Sequence, residues 1–509
     1  MMGIKARDFA PLCNRSIENL VPADNFYRHL EAKLHLGFVR DPVKDTYKER
    51  GRPSVDPIVF FKLQLVMFFE GIRSERELVR LAADRLSVRW YLGYDLDEEL
   101  PDHSSLTKIR QRYGLTVFRR FFEAIVEQCR KAGLVWGKEL YFDATQVKAN
   151  ASLDSIVPRF AVEAHLGELF SDEEGDERGP AGAESQPVEL PVPITESERE
   201  QLAHANEERH DWLARNGAPD RTIIRDGYRR RSDFEASATD PDAALMAHKK
   251  GGLHFGYHDH YAVDDGKARI ILEVLVTPAD VMEDQPFLDM LWRACFRWQV
   301  RPDQVTGDTT YGTVENIVEV EDQKIRAYVP LPDWDRTAFY GSSRFAYDAE
   351  RDEYRCPDGQ ILRRRKTKHT EGVVVYRADA ATCNACPLKA ACTESNRGRQ
   401  VQRSVYAEYL DRVQEYHQTP AYEKAMAKRK IWVEPLFGEA KDWHGLRRFR
   451  LRRLWKVNVE ALLIATGQNL KRLLRKRGWG RRPWPNGAPE APFACRFLAR
   501  SPGWSPSLV

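Results

Sequence analysis

Three acidic residues stand where side chains of an α/β protein commonly reach a bound ligand. Asp143 (LYFDATQVKAN) and Asp308 (QVTGDTTYGT) each lie at or just after the end of an apolar strand pattern, beside small and hydroxyl residues. Glu434 (KRKIWVEPLFGEAKDW) is surrounded by bases. Three converging carboxylates would suit two Mg²⁺ (or Mn²⁺) ions, which promote displacement at a phosphodiester. The alternative is that each acid caps a helix or pairs with a nearby base.

Half of the eight cysteines fall in one segment with the spacing C-x26-C-x2-C-x5-C. They are Cys356, Cys383, Cys386 and Cys392. The C-x2-C pair, with the flanking Pro387 and Gly359, is typical of the knuckle of a structural zinc site. A loop-rich segment has little core of its own, so a metal would supply folding energy. We therefore predict a zinc site here, with four reduced structural cysteines as the alternative.

The elements that must position these groups form two parts. Residues 1–135 are predicted to be all helical, with one helix starting at Asp56-Pro57 and another at Ser74, which has the capping-box spacing to Glu77. Residues 136–475 interleave strands with helices, which predicts a mixed α/β sheet flanked by helices. Predicted strands are Glu139–Val147, His260–Val263, Ile270–Val276, Gln304–Thr306 and Arg326–Val329.

Three segments differ in composition from that α/β core. Residues 161–235 include the stretch Ser171–Glu200, with ten acids against two bases and four prolines, which predicts a disordered acidic insertion. Residues 345–405 form a loop-rich, cysteine-rich insertion. Residues 476–509 form an irregular basic tail that contains Pro and Trp.

The overall charge hides a strong local asymmetry. The 509 residues carry 79 Lys and Arg against 76 Asp and Glu, a net charge of +3, which by itself argues against a nucleic-acid partner. Lys441–Arg482, however, contains fourteen bases and two acids, a local charge of +12. The hydrophobic share of 42% excludes wholesale disorder, and no apolar run reaches the ~20 residues of a membrane span. We therefore expect a soluble, cytoplasmic protein.

Seven motifs occur in order along most of the chain. They are Gly51–Pro57 (GRPSVDP), Glu70–Arg76 (EGIRSER), Glu99–Arg110 (ELPDHSSLTKIR), Phe142–Ala151 (FDATQVKANA), Thr239–Ala243 (TDPDA), Gly307–Gly312 (GDTTYG) and Val433–Gly438 (VEPLFG). This ordered series resembles the DDE transposases of bacterial insertion sequences, in the branch with an InsH-type N-terminal domain.

The resemblance implies an RNase H-like catalytic core in which Asp143, Asp308 and Glu434 bind the catalytic metal ions. Lys441 matches the lysine that follows the family's glutamate and is expected to contact DNA phosphate near the active site. Related branches place an arginine four residues before the glutamate and a tyrosine three residues before that arginine. Lys430 and Ala427 hold these positions here. Pro435 disfavours helical geometry at the preceding residue, so Glu434 is predicted at a helix start or a kink.

The resemblance also implies DNA as the partner, and the basic segment offers residues to bind it. Each phosphate neutralised by Lys or Arg releases counterions, and aromatic rings can stack on unpaired bases. The predicted DNA-binding residues are Lys430, Lys441, Arg447, Arg448, Arg450, Trp432 and Trp443.

The expected activity is two-metal cleavage at the element ends, followed by joining of the freed 3′ ends to target DNA. The N-terminal helices would recognise terminal inverted repeats, and two protomers would pair the ends, in a nucleoid-associated bacterial protein. One alternative is a domesticated nuclease of the same fold that performs no strand transfer. Another is a non-catalytic DNA-binding protein that uses the cysteine-rich insertion and the basic segment.

Overall fold

The computed structural model describes residues 16–47, 54–158, 235–247, 252–332, 339–369 and 372–480. The predicted acidic insertion at 161–235, apart from its last residue, lies outside the described residues. Most of the predicted tail at 476–509 does so too. In the described part of the chain no helix is both long and apolar enough to cross a membrane.

The N-terminal region is helical, as predicted. Its helices are α1 (Ile17–Leu20), α2 (Phe26–Lys33), α3 (Arg40–Val43), α4 (Pro57–Phe69), α5 (Glu75–Asp84), α6 (Leu86–Leu92) and α7 (His103–Lys131). The side chain of Asp56 accepts the backbone N–H of Ile58 and starts α4, and Ser74 accepts the N–H of Glu77 at the start of α5. Both predicted helix starts are therefore confirmed. Gly114, with a φ of 62°, kinks α7.

A mixed sheet follows these helices. Its strands are β1 (Glu139–Lys148), β4 (Ala244–Ala247), β5 (Leu253–Asp264), β6 (Ile271–Pro278), β7 (Gln304–Thr306) and β8 (Arg326–Tyr328). The strand order is β6-β5-β1-β7-β8, and β4 extends the outer edge of β5 beside β6. Strand β1 runs antiparallel to β5 and parallel to β7, which is parallel to β8. The predicted mixed α/β sheet is confirmed.

Short elements complete this part of the fold. A separate two-stranded ribbon pairs β2 (Ile156–Pro158) with β3 (Glu235–Ser237). Helices α8 (Phe287–Trp298) and α9 (Val314–Asp322) connect the later strands of the main sheet. Buried side chains of α8, such as Leu291 and Ala294, belong to the same hydrophobic core as the strands.

The cysteine-rich segment is more ordered than the sequence predicts. Strands β9 (Ala346–Asp348), β10 (Glu353–Arg355), β11 (Ile361–Lys368), β12 (Val373–Ala378) and β13 (Gln400–Ser404) form an antiparallel sheet, joined by α10 (Ala380–Asn384) and α11 (Lys389–Cys392). The sheet has its own small core, which includes Tyr354, Leu362 and Tyr376. The prediction of a loop-rich insertion with little core was therefore wrong. The strands are short, and the basic side chains of β11 obscure the apolar alternation.

Four helices close the described chain: α12 (Ala407–Tyr416), α13 (Pro420–Trp432), α14 (Glu434–Trp443) and α15 (Leu454–Lys476). Most of α15 is buried. On one side Gly467 lies against the ring of Phe68 in α4, where a side chain would clash. On another side Asn458 and Asn469 each exchange two hydrogen bonds with the backbone of β6, at 2.8–2.9 Å. The N-terminal helices and the mixed sheet therefore share one hydrophobic core.

Candidate active site

Asp143 lies in the middle of β1, and only 9% of the residue is exposed. Its Oδ1 accepts the backbone N–H of Ala144 at 3.0 Å and lies 3.3 Å from the guanidinium of Arg429 in α13. Strand β1 delivers the side chain to the face of the sheet that α14 covers, where Tyr261 stacks on Phe437. Asp143 is thus a buried carboxylate held by one cation.

Asp308 follows β7, the parallel neighbour of β1. The last paired residues of the two strands are Tyr141 and Thr306, and each aspartate lies two residues beyond its strand's member of that pair. The register therefore places Asp143 and Asp308 at equivalent positions on adjacent strands. The Asp308 side chain accepts the N–H of Thr310 at 2.9 Å and caps a 3₁₀ turn at Thr309–Tyr311.

Glu434 is the first residue of α14 and is exposed. Val433 separates α13 from α14, and Pro435 occupies the first turn of the new helix. The predicted position of Glu434, at a helix start beside a break, is therefore confirmed. Proline fits there because the first turn has no helical acceptor for its missing N–H.

The pKa of Asp143 responds to its burial and to the charged groups around it. Burial raises the pKa of Asp143 to about 6; Arg429 opposes this rise, and the charges of Asp308 and Glu434 add to it. Asp143 is buried, Asp308 is half-buried and Glu434 is exposed. In the described residues, however, no three or more His, Cys, Asp or Glu side chains are already close enough to hold a metal ion.

Arg429 is a site residue that the sequence reasoning missed. The four-residue spacing to Glu434 selects Lys430, which the structure places in an exposed position. Arg429, five residues before Glu434, is the base that faces Asp143. Val433, between the two helices, keeps right-handed helical dihedrals (φ −99°, ψ −49°), so the break in the helix is slight and does not by itself explain the choice of Arg429. The sequence does not show which face of α13 lies against β1, so it could not identify Arg429 as the base that faces Asp143.

Lys441 faces the same region, as its predicted role requires. Its Nζ donates to Oγ1 of Thr145 at 2.5 Å, and Thr145 is two residues after Asp143 on the same face of β1. Burial lowers the pKa of Lys441, whereas Asp259 and Asp143 raise it again. The lysine ammonium thus stands close to the candidate catalytic acids.

The loop between α14 and α15 contains the predicted DNA-binding arginines, which differ in their surroundings. Arg447 and Arg448 are exposed; Arg447 pairs with Asp442 at 2.5 Å, and Nε of Arg448 donates to the carbonyl of Ala149 at 3.1 Å. Arg450 is directed inward instead, with its guanidinium 3.7 Å from Glu75 of α5. Arg450 therefore links the loop to the N-terminal helices, and its predicted contact with DNA stays a prediction.

The two tryptophans proposed for base stacking differ in how exposed their rings are. Trp443, at the end of α14, is 74% exposed. Trp432 is partly buried against the hydrophobic core, and the ammonium of Lys428 lies 4.8 Å from its ring centroid. One face of Trp432 is therefore already covered, whereas the ring of Trp443 is largely exposed; stacking on a base stays a prediction for both.

Strand β11 carries a basic surface that the sequence reasoning did not identify. Five of its eight residues are basic: Arg363, Arg364, Arg365, Lys366 and Lys368. A β-bulge between Arg364 and Lys366 inserts Arg365 as an extra residue. Arg363, Arg365 and Lys366 are exposed and form no ion pair with another described residue. The run of bases was visible in the sequence, but its place on a sheet was not.

The four cysteines of the predicted zinc site line one small cavity between the second sheet and its two helices. Three of the sulfur atoms accept backbone N–H groups: Cys356 from Gln360 (3.3 Å), Cys383 from Arg399 (3.2 Å) and Cys386 from Leu388 (3.4 Å). Such donors stabilise thiolates, the form of cysteine that binds metal. Cys392 is buried in the same cluster. The four cysteines thus share one cavity, although no three of them are close enough in the described residues to hold a metal ion.

Two family models match separate parts of the chain. Residues 15–112 match the family model described as Transposase domain (DUF772), which covers most of the N-terminal helices. Residues 355–474 match the Transposase DDE domain, which covers the cysteine cluster and the helices that carry Arg429, Glu434 and Lys441. No curated protein and no solved structure matched the chain significantly.

The fold and the matches define an α/β protein that carries two transposase domains, one at each end of the described chain. Both matches support a DDE transposase of an insertion sequence, and they confirm the resemblance found in the motifs.

Proposed function

We propose that the chain is a DNA transposase that cleaves phosphodiester bonds at element ends and joins the 3′ ends to target DNA. The observation that carries the proposal is the strand register that places Asp143 and Asp308 at equivalent positions on adjacent strands, with Arg429 3.3 Å from Asp143 and Lys441 bonded to Thr145 on the same face. An acid cluster with adjacent bases suits a phosphodiester, whose negative charge the bases can hold and orient.

The sheet topology supports an RNase H-like core for this site. In the order β6-β5-β1-β7-β8, only β5 runs against the other four strands. The two aspartates come from adjacent central strands and the glutamate from a helix late in the chain. This arrangement explains how residues 291 positions apart can serve one reaction centre.

The three acids would hold divalent cations, Mg²⁺ or Mn²⁺. Their hard oxygen donors fit such ions, and a bound cation would favour the charged form of Asp143, whose pKa is raised by burial and, to a lesser extent, by the charges of Asp308 and Glu434. When bound, the cations supply charge neutralisation and an activated oxygen nucleophile. Arg429 would hold Asp143 in place, and Lys441 would orient a DNA phosphate.

DNA would be held through basic surfaces outside this centre. Two groups of exposed bases would supply sequence-independent phosphate contacts: Arg447 and Arg448 in the loop after α14, and the bases of β11. Trp443 offers a free ring for an unpaired base. The N-terminal helices would recognise the terminal inverted repeats, and two protomers would pair the two ends.

We also propose a structural zinc ion in the cysteine cluster. The four sulfurs line one cavity, and three of them accept backbone N–H groups. Four thiolates are a common donor set for structural zinc. The ion would fix α10 and α11 to the second sheet and take no part in the reaction.

The central test uses purified protein, Mg²⁺ and a duplex that carries an element end. We expect wild-type protein to cleave the end and to join it to a target duplex, and Asp308→Asn to do neither. Asp303→Asn is the matched control, because Asp303 is an exposed aspartate just before the same strand. Cleavage without joined product would favour the nuclease alternative. Unchanged cleavage by Asp308→Asn would overturn the active-site assignment.

A further inference from the structure

Asp259, in the middle of β5, is an acid that the proposed active site does not yet use. It is completely buried, and neither of its carboxylate oxygens has a hydrogen-bond partner among the described residues. A buried carboxylate without partners is costly, so most proteins pair or neutralise such a group. The position of Asp259 in the centre of the sheet therefore indicates a specific role for its carboxylate.

The sheet register places Asp259 on the face that carries the candidate catalytic acids. Asp259 pairs with Thr145 of β1, and Tyr261 pairs with Asp143 two residues away. Paired residues in a sheet project from the same face, and so do residues two apart on one strand. Asp259 therefore lies beside Thr145 and diagonally across from Asp143.

Helix α14 brings one cation to this face. The ammonium of Lys441 is hydrogen-bonded to the hydroxyl of Thr145, the residue directly opposite Asp259. Lys441 is the charged group that acts on Asp259, and it opposes the rise in the Asp259 pKa that burial causes. The Lys441 ammonium therefore acts on the buried acid without a direct ion pair, from its hydrogen bond to Thr145, the neighbour of Asp259 on β1.

We propose that Asp259 is a positioning residue that anchors the Lys441 ammonium, together with Thr145, on the Asp143 face of the sheet. The proposal rests on the proposed function, in which Lys441 orients a DNA phosphate. A flexible lysine side chain has four carbons between backbone and charge, and a fixed counter-charge restricts where that charge lies. Asp259 acts through Lys441 and needs no contact with DNA.

A double-mutant cycle tests the proposal in the full-length protein. The variants are Asp259→Asn, Lys441→Met and their combination, each measured in single-turnover cleavage at saturating end DNA and Mg²⁺. We expect Asp259→Asn to slow cleavage roughly 10- to 100-fold through misplacement of the ammonium. We expect the combined variant to be no slower than Lys441→Met alone, because Asp259 acts only through the lysine.

A matched control separates positioning from general stability. Glu273 is a buried carboxylate of the adjacent strand β6, and its partner is Arg293, 3.8 Å away. Glu273→Gln should change the stability of the protein. Any factor by which it slows cleavage should multiply with the factor for Lys441→Met, because the two residues act independently. Two results would overturn the proposal: folded Asp259→Asn that cleaves at the wild-type rate, or losses from Asp259→Asn and Lys441→Met that multiply. If Asp259→Asn does not fold, the smaller Asp259→Ser enters the same cycle.

A second readout does not depend on catalysis. In protein with ¹³C-methylated lysines, the Lys441 signal can be assigned by its absence from Lys441→Arg. We expect Asp259→Asn to shift that signal and Glu273→Gln to leave it in place; an unmoved signal in Asp259→Asn would refute the anchoring. If wild-type protein fails to cleave element ends, the proposed function fails, while the lysine signal still decides the anchoring.

Discussion

The guanidinium of Arg429 lies 3.3 Å from Oδ1 of Asp143, and both side chains are almost completely buried. This pair joins the helix before the break at Val433 to the central strand of the sheet. It therefore fixes the end of α13, directly before Glu434 begins the next helix. Five predictions follow from the surroundings of this pair and from the charged surfaces near it.

Arg429→Gln should lower the stability of the metal-free protein by about 1–3 kcal/mol, because it leaves the Asp143 carboxylate buried without its cation. Lys430→Gln is the matched control, because its side chain is exposed, and its effect should stay within about 0.5 kcal/mol. Urea unfolding in EDTA measures both. Equal effects of the two variants would contradict the assignment of Arg429 to the site.

Asp143→Asn should stabilise the metal-free protein near pH 7. The pKa of Asp143 is raised to about 6 in the folded state from 3.8, so the folded state binds this proton more tightly than the unfolded state. The free energy of unfolding consequently falls as pH rises through that interval. Asn does not titrate, so the variant should avoid this loss and be more stable than wild type near pH 7 by about 1–3 kcal/mol. Unfolding at pH 4 and pH 7 measures the difference; a gain independent of pH would contradict the prediction.

Purified protein should contain one zinc ion per chain by elemental analysis. Cys383→Ser should lose the ion and lower the melting temperature of the second sheet, because the metal contributes folding energy to a small domain. Cys295→Ser is the control, since Cys295 lies in α8, outside the cluster. A wild-type protein free of zinc, with the same melting temperature in the presence of a chelator, would contradict the site.

Arg363→Gln combined with Arg365→Gln should weaken DNA binding without sequence preference. If each arginine contacts one phosphate, the slope of log binding constant against log salt should become less steep by about 1.8. Lys267→Gln, which removes an exposed base from the turn between β5 and β6, serves as the control. Fluorescence anisotropy across a salt series measures the slope, and an unchanged slope would exclude β11 from the DNA interface.

Glu75→Gln should loosen the contact between the N-terminal helices and the loop after α14. Glu75 pairs with Arg110 of α7 and lies 3.7 Å from Arg450, and its side chain is almost completely buried. Removing one member of a buried ion cluster costs about 3–5 kcal/mol. Glu77→Gln, an exposed acid in the same helix, should cost little. Calorimetry compares the two variants, and similar melting temperatures would contradict the prediction.

Much of this architecture could be predicted from the sequence. Asp56 and Ser74 mark helix starts through local hydrogen bonds, alternating apolar residues mark β1, and a short apolar run marks β6, so those elements were correctly predicted. Pro435 was enough to place Glu434 beside a helix break. These features depend on neighbours within a few residues, which is the range that a sequence displays.

The remaining features depend on contacts between distant residues. The choice of Arg429 over Lys430 depends on which face of α13 packs on β1, and the inward turn of Arg450 depends on Glu75, far away in the chain. The second sheet was missed because its strands are short and basic. Asp259 could be recognised only once the register set it opposite Thr145.

Helix α15 has a consequence for the order in which the protein is made. Its residues close the core of the N-terminal helices through Gly467 and satisfy the edge of β6 through Asn458 and Asn469. The ribosome synthesises this helix after every other described element. The nascent chain therefore cannot complete this core until α15 has left the ribosome, and products of translation interrupted before that point would expose apolar surface and be open to proteolysis.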